Sequence, residues 1–134
     1  MHQMKVVYQG DLRTEAIHLD SKNIIHTDAP KDNQGKGEAF SPTDLMCTSL
    51  ASCMLTIMAM KGRSLGIETE GVSIEVEKKM QASPRKVAEI VLTFDWKGLD
   101  QKVSAEILQE LKQAAETCPV ALSLDSSVKK NLIW

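Results

Sequence analysis

The chain has 134 residues with an ordinary apolar content, which predicts one domain covering residues 1–134. Sixteen basic residues nearly balance 18 acidic ones, giving a net charge of −2, and the basic pairs are scattered, so the composition argues against a nucleic-acid-binding surface. The N-terminal residues show a strand pattern where an export signal would have a basic and then an apolar stretch, so we expect a cytoplasmic protein.

Three short segments near the N-terminus are rich in Val, Ile and Thr and are separated by polar turns. They are residues 5–8, 13–18 and 24–27. This pattern predicts a three-stranded meander. The following residues, 32–37, are polar, contain two glycines and show no apolar periodicity, which predicts a loop.

A long helix is predicted next, because Ser41 is a good N-cap, Pro42 suits the first helical position and Asp44 follows three residues after the cap. Gly66 would end it. Residues 45–60 carry no charge, yet serines and threonines interrupt them and leave fewer than the ~18 apolar residues of a membrane span. We therefore expect a buried helix and no membrane association. Such a helix needs apolar cover on every side, which suggests a core shared by two subunits of a homodimer.

The second half of the chain contains two alternating strand patterns, an amphipathic helix and a final strand. The strands are predicted at residues 72–77 and 87–94 and are joined through 82–84; the helix is predicted at 102–117, a further helical turn after Pro119, and the last strand at 130–134. Cys118 ends the apolar stripe of the amphipathic helix.

The cysteines are the residues most able to carry chemistry, since structural disulfides are rare in a chain without an export signal. Cys53 lies in the middle of the apolar helix, where burial disfavours the thiolate, so its surroundings by themselves favour an inert core cysteine. Cys118 precedes a proline and would be the N-cap of a new turn, where backbone N–H groups stabilise a thiolate; a plain end to the apolar stripe fits equally well. Cys47 faces another side of the helix from Cys53 and is interpreted as packing.

A zinc site is not indicated, because the sequence has no C-x2-C pair and no histidine at a ligand spacing from a cysteine.

Three groups of residues follow one another along the chain: GDLR at 10–13, SPTDL at 41–45 leading to LASC at 50–53, and CPV at 118–120. In order and spacing they resemble the OsmC/Ohr family of thiol peroxidases over essentially the whole chain. The resemblance implies an α+β fold in which two chains form an intertwined homodimer, with antiparallel sheets wrapped around long buried central helices. Two active sites would lie at the subunit interface.

The resemblance also implies the chemistry. Cys53 would attack an organic hydroperoxide, or less efficiently hydrogen peroxide, and Cys118 would resolve the sulfenic acid as a disulfide. Arg13 would stabilise the thiolate and bind a peroxide oxygen. The reductant would be a small dithiol of the dihydrolipoyl kind, and no metal, flavin or haem cofactor would be needed. The expected apolar substrate lining is Leu50, Met54, Met58 and Leu122.

The chain departs from the family pattern at Thr43, where well-studied peroxidase members carry a glutamate. If that carboxylate holds the arginine in place, Asp44 or Glu38 would have to replace it here. The departure favours an alternative function, in which the same fold binds a small apolar or thiol-reactive ligand without catalysis. A Cys53→Ser variant would separate the two, because only a peroxidase would lose its turnover.

Overall fold

The computed structural model describes residues 1–134 and contains six strands, four helices and one 3-10 turn. The expected α+β fold class is confirmed. The chain divides into two units, residues 1–46 and residues 47–134, each described by itself below. The single domain expected from the sequence stays a prediction.

The first unit contains the predicted meander. Its strands are β1 Met4–Gly10, β2 Arg13–His18 and β3 Ile24–Asp28, paired antiparallel in the order β1-β2-β3. Strand β3 extends one residue beyond the predicted segment, and its register with β2 places Arg13 opposite Asp28. This cross-strand pair is the basis of one part of the candidate site.

The predicted loop folds back tightly on the end of β3. It contains the 3-10 turn Lys31–Asn33 and a glycine, Gly35, whose missing Cβ would lie 1.7 Å from the carbonyl oxygen of Ala29. Only glycine fits there without moving the backbone. The N–H of Gly37 donates to the same carbonyl oxygen at 3.2 Å. The turn thus returns the chain to β3, and the N–H of Glu38 reaches the side chain of Asp28.

The long helix α1 spans Pro42–Ser64 and begins with the predicted cap. The hydroxyl of Ser41 accepts from the N–H of Asp44 at 3.0 Å, and the carboxylate of Asp44 accepts from the N–H of Ser41 at 3.0 Å. This reciprocal arrangement is a capping box, which satisfies backbone donors that the first helical turn leaves free.

The burial and composition of α1 differ in part from expectation. Its buried residues recur every three or four positions, with Leu50 and Ala51 adjacent, so one stripe is buried in the single chain: Cys47, Leu50, Ala51, Met54, Met58 and Gly62. By length and composition α1 is sufficient to cross a membrane, contrary to the expectation that it falls short. The core helices of soluble proteins meet the same criteria, so this is weak evidence for a membrane span.

The second unit holds a three-stranded sheet whose central strand is β5. The strands are β4 Ser73–Ala82, β5 Arg85–Asp95 and β6 Lys129–Ile133, in the order β4-β5-β6. Strands β4 and β5 form the predicted hairpin, but β6 pairs parallel to β5, so this sheet is mixed where an antiparallel one was expected. A parallel pair requires a crossover connection, which the helices between β5 and β6 supply.

The predicted helix at 102–117 is two helices. They are α2 Leu99–Lys102 and α3 Ala105–Glu116, and α4 Pro119–Ser123 follows as predicted. The break falls at Val103 and Ser104, where Ser104 caps α3 by accepting from the N–H of Ile107 at 3.1 Å. A serine that captures a helix N-terminus competes with continuation of the preceding helix, which explains the difference.

The core of the second unit includes Ile90, Leu92 and Leu111, which are fully buried. The rings of Phe94 and Trp134 lie 4.4 Å apart, with Trp96 beside both. The C-terminal residue is thereby fixed against the end of β5.

Candidate active site

The second unit brings two thiols together. Cys53 lies on α1 and is half-buried, Cys118 precedes α4 and is fully buried, and both are free. The pKa of Cys118 is raised, first by burial and further by a hydrogen bond with, and the charge of, the Cys53 side chain. The two thiols therefore lie close enough to influence each other, although their residues lie far apart in the sequence.

The capping role of Cys118 is confirmed. Its backbone is extended, Pro119 is the first helical residue, and its sulfur accepts from the N–H of Ala121 at 3.3 Å. The prediction that the helix N-terminus stabilises a Cys118 thiolate is wrong, because the pKa of Cys118 is raised overall. The Ala121 N–H does lower the pKa of Cys118, but burial outweighs it, so the thiol holds its proton. A protonated Cys118 is able to donate a hydrogen bond towards the nearby Cys53 thiolate.

In the first unit, acidic residues hold the side chain of Arg13 in place. Arg13 donates from Nε to Oδ1 of Asp28 at 2.6 Å and from Nη2 to Oδ2 at 2.7 Å, a bidentate pair. Glu38 adds its backbone N–H, 3.0 Å from Oδ2 of Asp28, and its carboxylate, 3.7 Å from Nη2 of Arg13. The hydrogen bonds with Arg13 lower the pKa of Asp28 to about 2, against the opposing effect of burial. Both groups of this pair are therefore charged at neutral pH.

Asp28 is the residue that sequence reasoning missed. Asp44 and Glu38 were the expected partners of Arg13; Glu38 does lie beside it, while the carboxylate of Asp44 accepts from the helix cap. A signal was present, because a hairpin that pairs Thr14 with Thr27 must place Arg13 opposite the next residue of β3. The predicted strand stopped at Thr27, one residue short.

Arg13 borders a cleft of about 340 Å³ in the first unit. The cleft is lined by Gln9, Arg13, His26, Glu38 and Ala39. The side chain of Arg13 is 32 % exposed, so it is not closed off from the cleft. Nε2 of His26 lies 3.4 Å from the carboxylate of Glu15 on the same sheet.

The four residues expected to line a substrate site differ in exposure. Leu50, Met54 and Met58 are buried, whereas Leu122 is 74 % exposed. Met54 borders a cleft of about 300 Å³ whose other lining residues are Glu116, Ala121, Lys130 and Leu132. The shared substrate role of the four stays a prediction. No group of three or more His, Cys, Asp or Glu side chains is arranged to hold a metal ion.

Comparison with known proteins identifies relatives of the whole chain. Residues 35–132 match the family described as OsmC-like protein. A candidate osmotic stress induced and detoxification response protein from Psychrobacter arcticus 273-4 is 52 % identical, with a TM-score of 0.89 over 99 % of this chain and 95 % of that one. No curated protein matches significantly.

Two more distant structures share the fold. One is an organic hydroperoxide resistance protein OsmC from Legionella pneumophila, 22 % identical with a TM-score of 0.74 over 97 % of this chain and 93 % of that one. The other is an organic hydroperoxide resistance protein from Elizabethkingia anophelis, 14 % identical with a TM-score of 0.69 over 99 % and 95 %. The family match over residues 35–132 and the 52 % identity confirm the resemblance that the sequence motifs indicated. The chain belongs to the OsmC/Ohr family of OsmC-like proteins.

Proposed function

We propose that the protein is a thiol-dependent peroxidase that reduces organic hydroperoxides, and less efficiently hydrogen peroxide, through Cys53 and Cys118. The observation that carries the proposal is the proximity of two free thiols of unequal exposure, shown by the effect of Cys53 on the pKa of Cys118. Membership of the OsmC/Ohr family, two of whose structures are described as organic hydroperoxide resistance proteins, supports it.

The environments of the two thiols support the proposed roles. Cys53 is partly exposed and can be reached by a peroxide, whereas Cys118 is 0 % exposed and cannot. A nucleophilic cysteine must react as the thiolate, and the protonated Cys118 can stabilise a Cys53 thiolate by donating its S–H. Cys118 also lies near Cys53, whose sulfur it would attack.

The proposed reaction has three steps: oxidation of Cys53, formation of the disulfide and its reduction. The Cys53 thiolate attacks the outer oxygen of the hydroperoxide, the O–O bond breaks, and the alkoxide takes a proton to leave as an alcohol, with Cys53 oxidised to a sulfenic acid. The Cys118 sulfur then displaces the hydroxyl group, which leaves as water, and a Cys53–Cys118 disulfide forms. A small dithiol, of the dihydrolipoyl kind, returns both cysteines to thiols and is itself oxidised to a disulfide.

Arg13 would stabilise the Cys53 thiolate and bind a peroxide oxygen, since a fixed positive charge offsets the desolvation of a buried anion. The presence of Thr43, where well-studied family members carry a glutamate, is the observation that favours the alternative of a non-catalytic binding module. Arg13 nevertheless has carboxylate partners in Asp28 and Glu38, so that substitution does not leave it unsupported. An apolar lining from Leu50, Met54, Met58 and Leu122 would favour alkyl hydroperoxides. The proposed working form is a cytoplasmic homodimer.

The experiment is thiol counting and intact mass of the reduced protein before and after one equivalent of cumene hydroperoxide, followed by peptide mapping. A peroxidase loses two thiols per chain and forms one Cys53–Cys118 disulfide. Cys47→Ser is the matched control and should behave as the wild type, whereas Cys53→Ser should not react. No oxidation, or oxidation spread over Cys47 as well, would favour the binding module instead.

A further inference from the structure

We propose that Asp28 is the positioning residue for Arg13, in the role that the family pattern gives to a glutamate at position 43, and that it presents Nη1 of Arg13 as the reactive hydrogen-bond donor. This inference rests on the proposed function of Arg13. Asp28 would fix the guanidinium of Arg13 and leave the Nη1 atom of Arg13 available.

The carboxylate of Asp28 is held rigidly. It is 1 % exposed and accepts three hydrogen bonds, two from Arg13 and one from the N–H of Glu38. Its backbone N–H donates to the carbonyl oxygen of Phe40 at 3.1 Å, so the chain is fixed on both sides of the loop that joins β3 to α1. A buried carboxylate with these partners has no free rotamer, and it transmits its orientation to Arg13.

The pairing determines which edge of the guanidinium is free. Nε and Nη2 of Arg13 are bound to Asp28, and Nη2 also lies near Glu38. Nη1 is engaged by neither carboxylate, and it carries two N–H groups in a plane that the bidentate pair fixes. The side chain borders the cleft that Gln9 and His26 also line. A peroxide oxygen that enters this cleft would therefore be met by the N–H groups of Nη1.

The same geometry explains how the chain can function with Thr43. A glutamate at that position would lie in the first turn of α1, whereas Asp28 lies on the neighbouring strand, in register with Arg13 on β2. The acid at the helix N-terminus, Asp44, accepts from the N–H of Ser41 in the helix cap. The positioning carboxylate is thus supplied by the sheet.

The test compares Asp28→Asn, Arg13→Gln and the double variant, with Glu15→Gln as the matched control. Glu15 lies on the same strand as Arg13, and its carboxylate is 3.4 Å from Nε2 of His26, so its replacement removes a carboxylate from this sheet without touching Asp28. Two readouts are used: the single-turnover rate of Cys53 oxidation by cumene hydroperoxide, and the pH midpoint of Cys53 alkylation by iodoacetamide, with the alkylated peptide identified by mass.

We expect Asp28→Asn and Arg13→Gln each to slow oxidation by about tenfold or more, the equivalent of one lost charge interaction. Both should move the alkylation midpoint to higher pH, and the double variant should be no worse than Arg13→Gln, because Asp28 acts only through Arg13. Asp28→Glu should recover part of the rate, and Glu15→Gln should match the wild type.

Additive effects in the double variant, or an unchanged alkylation midpoint in Asp28→Asn when Arg13→Gln shifts it, would overturn the inference. If Asp28→Asn does not fold, Asp28→Glu and the double variant, which replaces the ion pair by two neutral amides, decide the question. A wild-type protein that cumene hydroperoxide does not oxidise would refute the proposed function, and the alkylation midpoints would still show whether Asp28 and Arg13 act as one unit.

Discussion

Cys118 has two roles, and serine and alanine substitutions separate them. Its sulfur is the N-cap of α4, and its thiol is the proposed resolving group. A serine keeps a side-chain acceptor for the N–H of Ala121, whereas an alanine removes it. Neither can form a disulfide with Cys53.

The expected losses of unfolding free energy follow from the burial of Ala121 and the capping role of Cys118. Ala121 is buried, so in Cys118→Ala its N–H loses its partner without gaining water, which costs about 1–3 kcal/mol of unfolding free energy. Loss of an N-cap side chain costs a similar amount, about 0.5–2 kcal/mol. We expect Cys118→Ala to be less stable than Cys118→Ser by about 1 kcal/mol, measured by urea denaturation under reducing conditions at one protein concentration.

The chemical outcome should be the same in both variants. After one equivalent of cumene hydroperoxide, Cys53 should remain as a sulfenic acid that dimedone traps, and no intramolecular disulfide should form. Equal stabilities of the two variants would refute the capping role. A wild-type amount of intramolecular disulfide in either variant would refute the assignment of Cys118 as the resolving residue.

Two further predictions concern the core and the ion pair. Ile90→Ala should lower the unfolding free energy by about 2–5 kcal/mol, because Ile90 is fully buried on the central strand, and the partly exposed Val76→Ala on β4 is the control in the same denaturation assay. Since the folded pKa of Asp28 is lowered from 3.8 to about 2, its pairing contributes stability that is complete above the unfolded value and is lost as pH falls through about 2. The carboxyl ¹³C resonance of Asp28 should therefore titrate near pH 2, and a midpoint near 4 would contradict a persistent pair with Arg13.

The predicted elements were correct where the signal was local. Capping residues, proline positions and apolar periodicity depend on neighbours within one turn or one strand, and they located α1, α4, the β1–β3 meander and the β4–β5 hairpin. The break between α2 and α3 was missed because Ser104 fits an exposed helix position as well as a cap, and only the folded backbone distinguishes them.

The direction of β6 relative to β5 could not be predicted from the sequence. Its residues predict a strand, but they carry no information on whether it runs parallel or antiparallel to β5. That choice depends on the path of the connection, here three helices long, and therefore on the tertiary structure.

For the candidate site, the sequence by itself determined the residue types: two cysteines, one at an N-cap, and an arginine at the start of a strand. The tertiary structure decided their environments. It placed Cys118 close to Cys53, and it paired Arg13 with Asp28. The physical reason is that pKa and ion-pair geometry depend on burial and on distances across the fold, which are set by strand register and helix packing and are not encoded in any single local pattern.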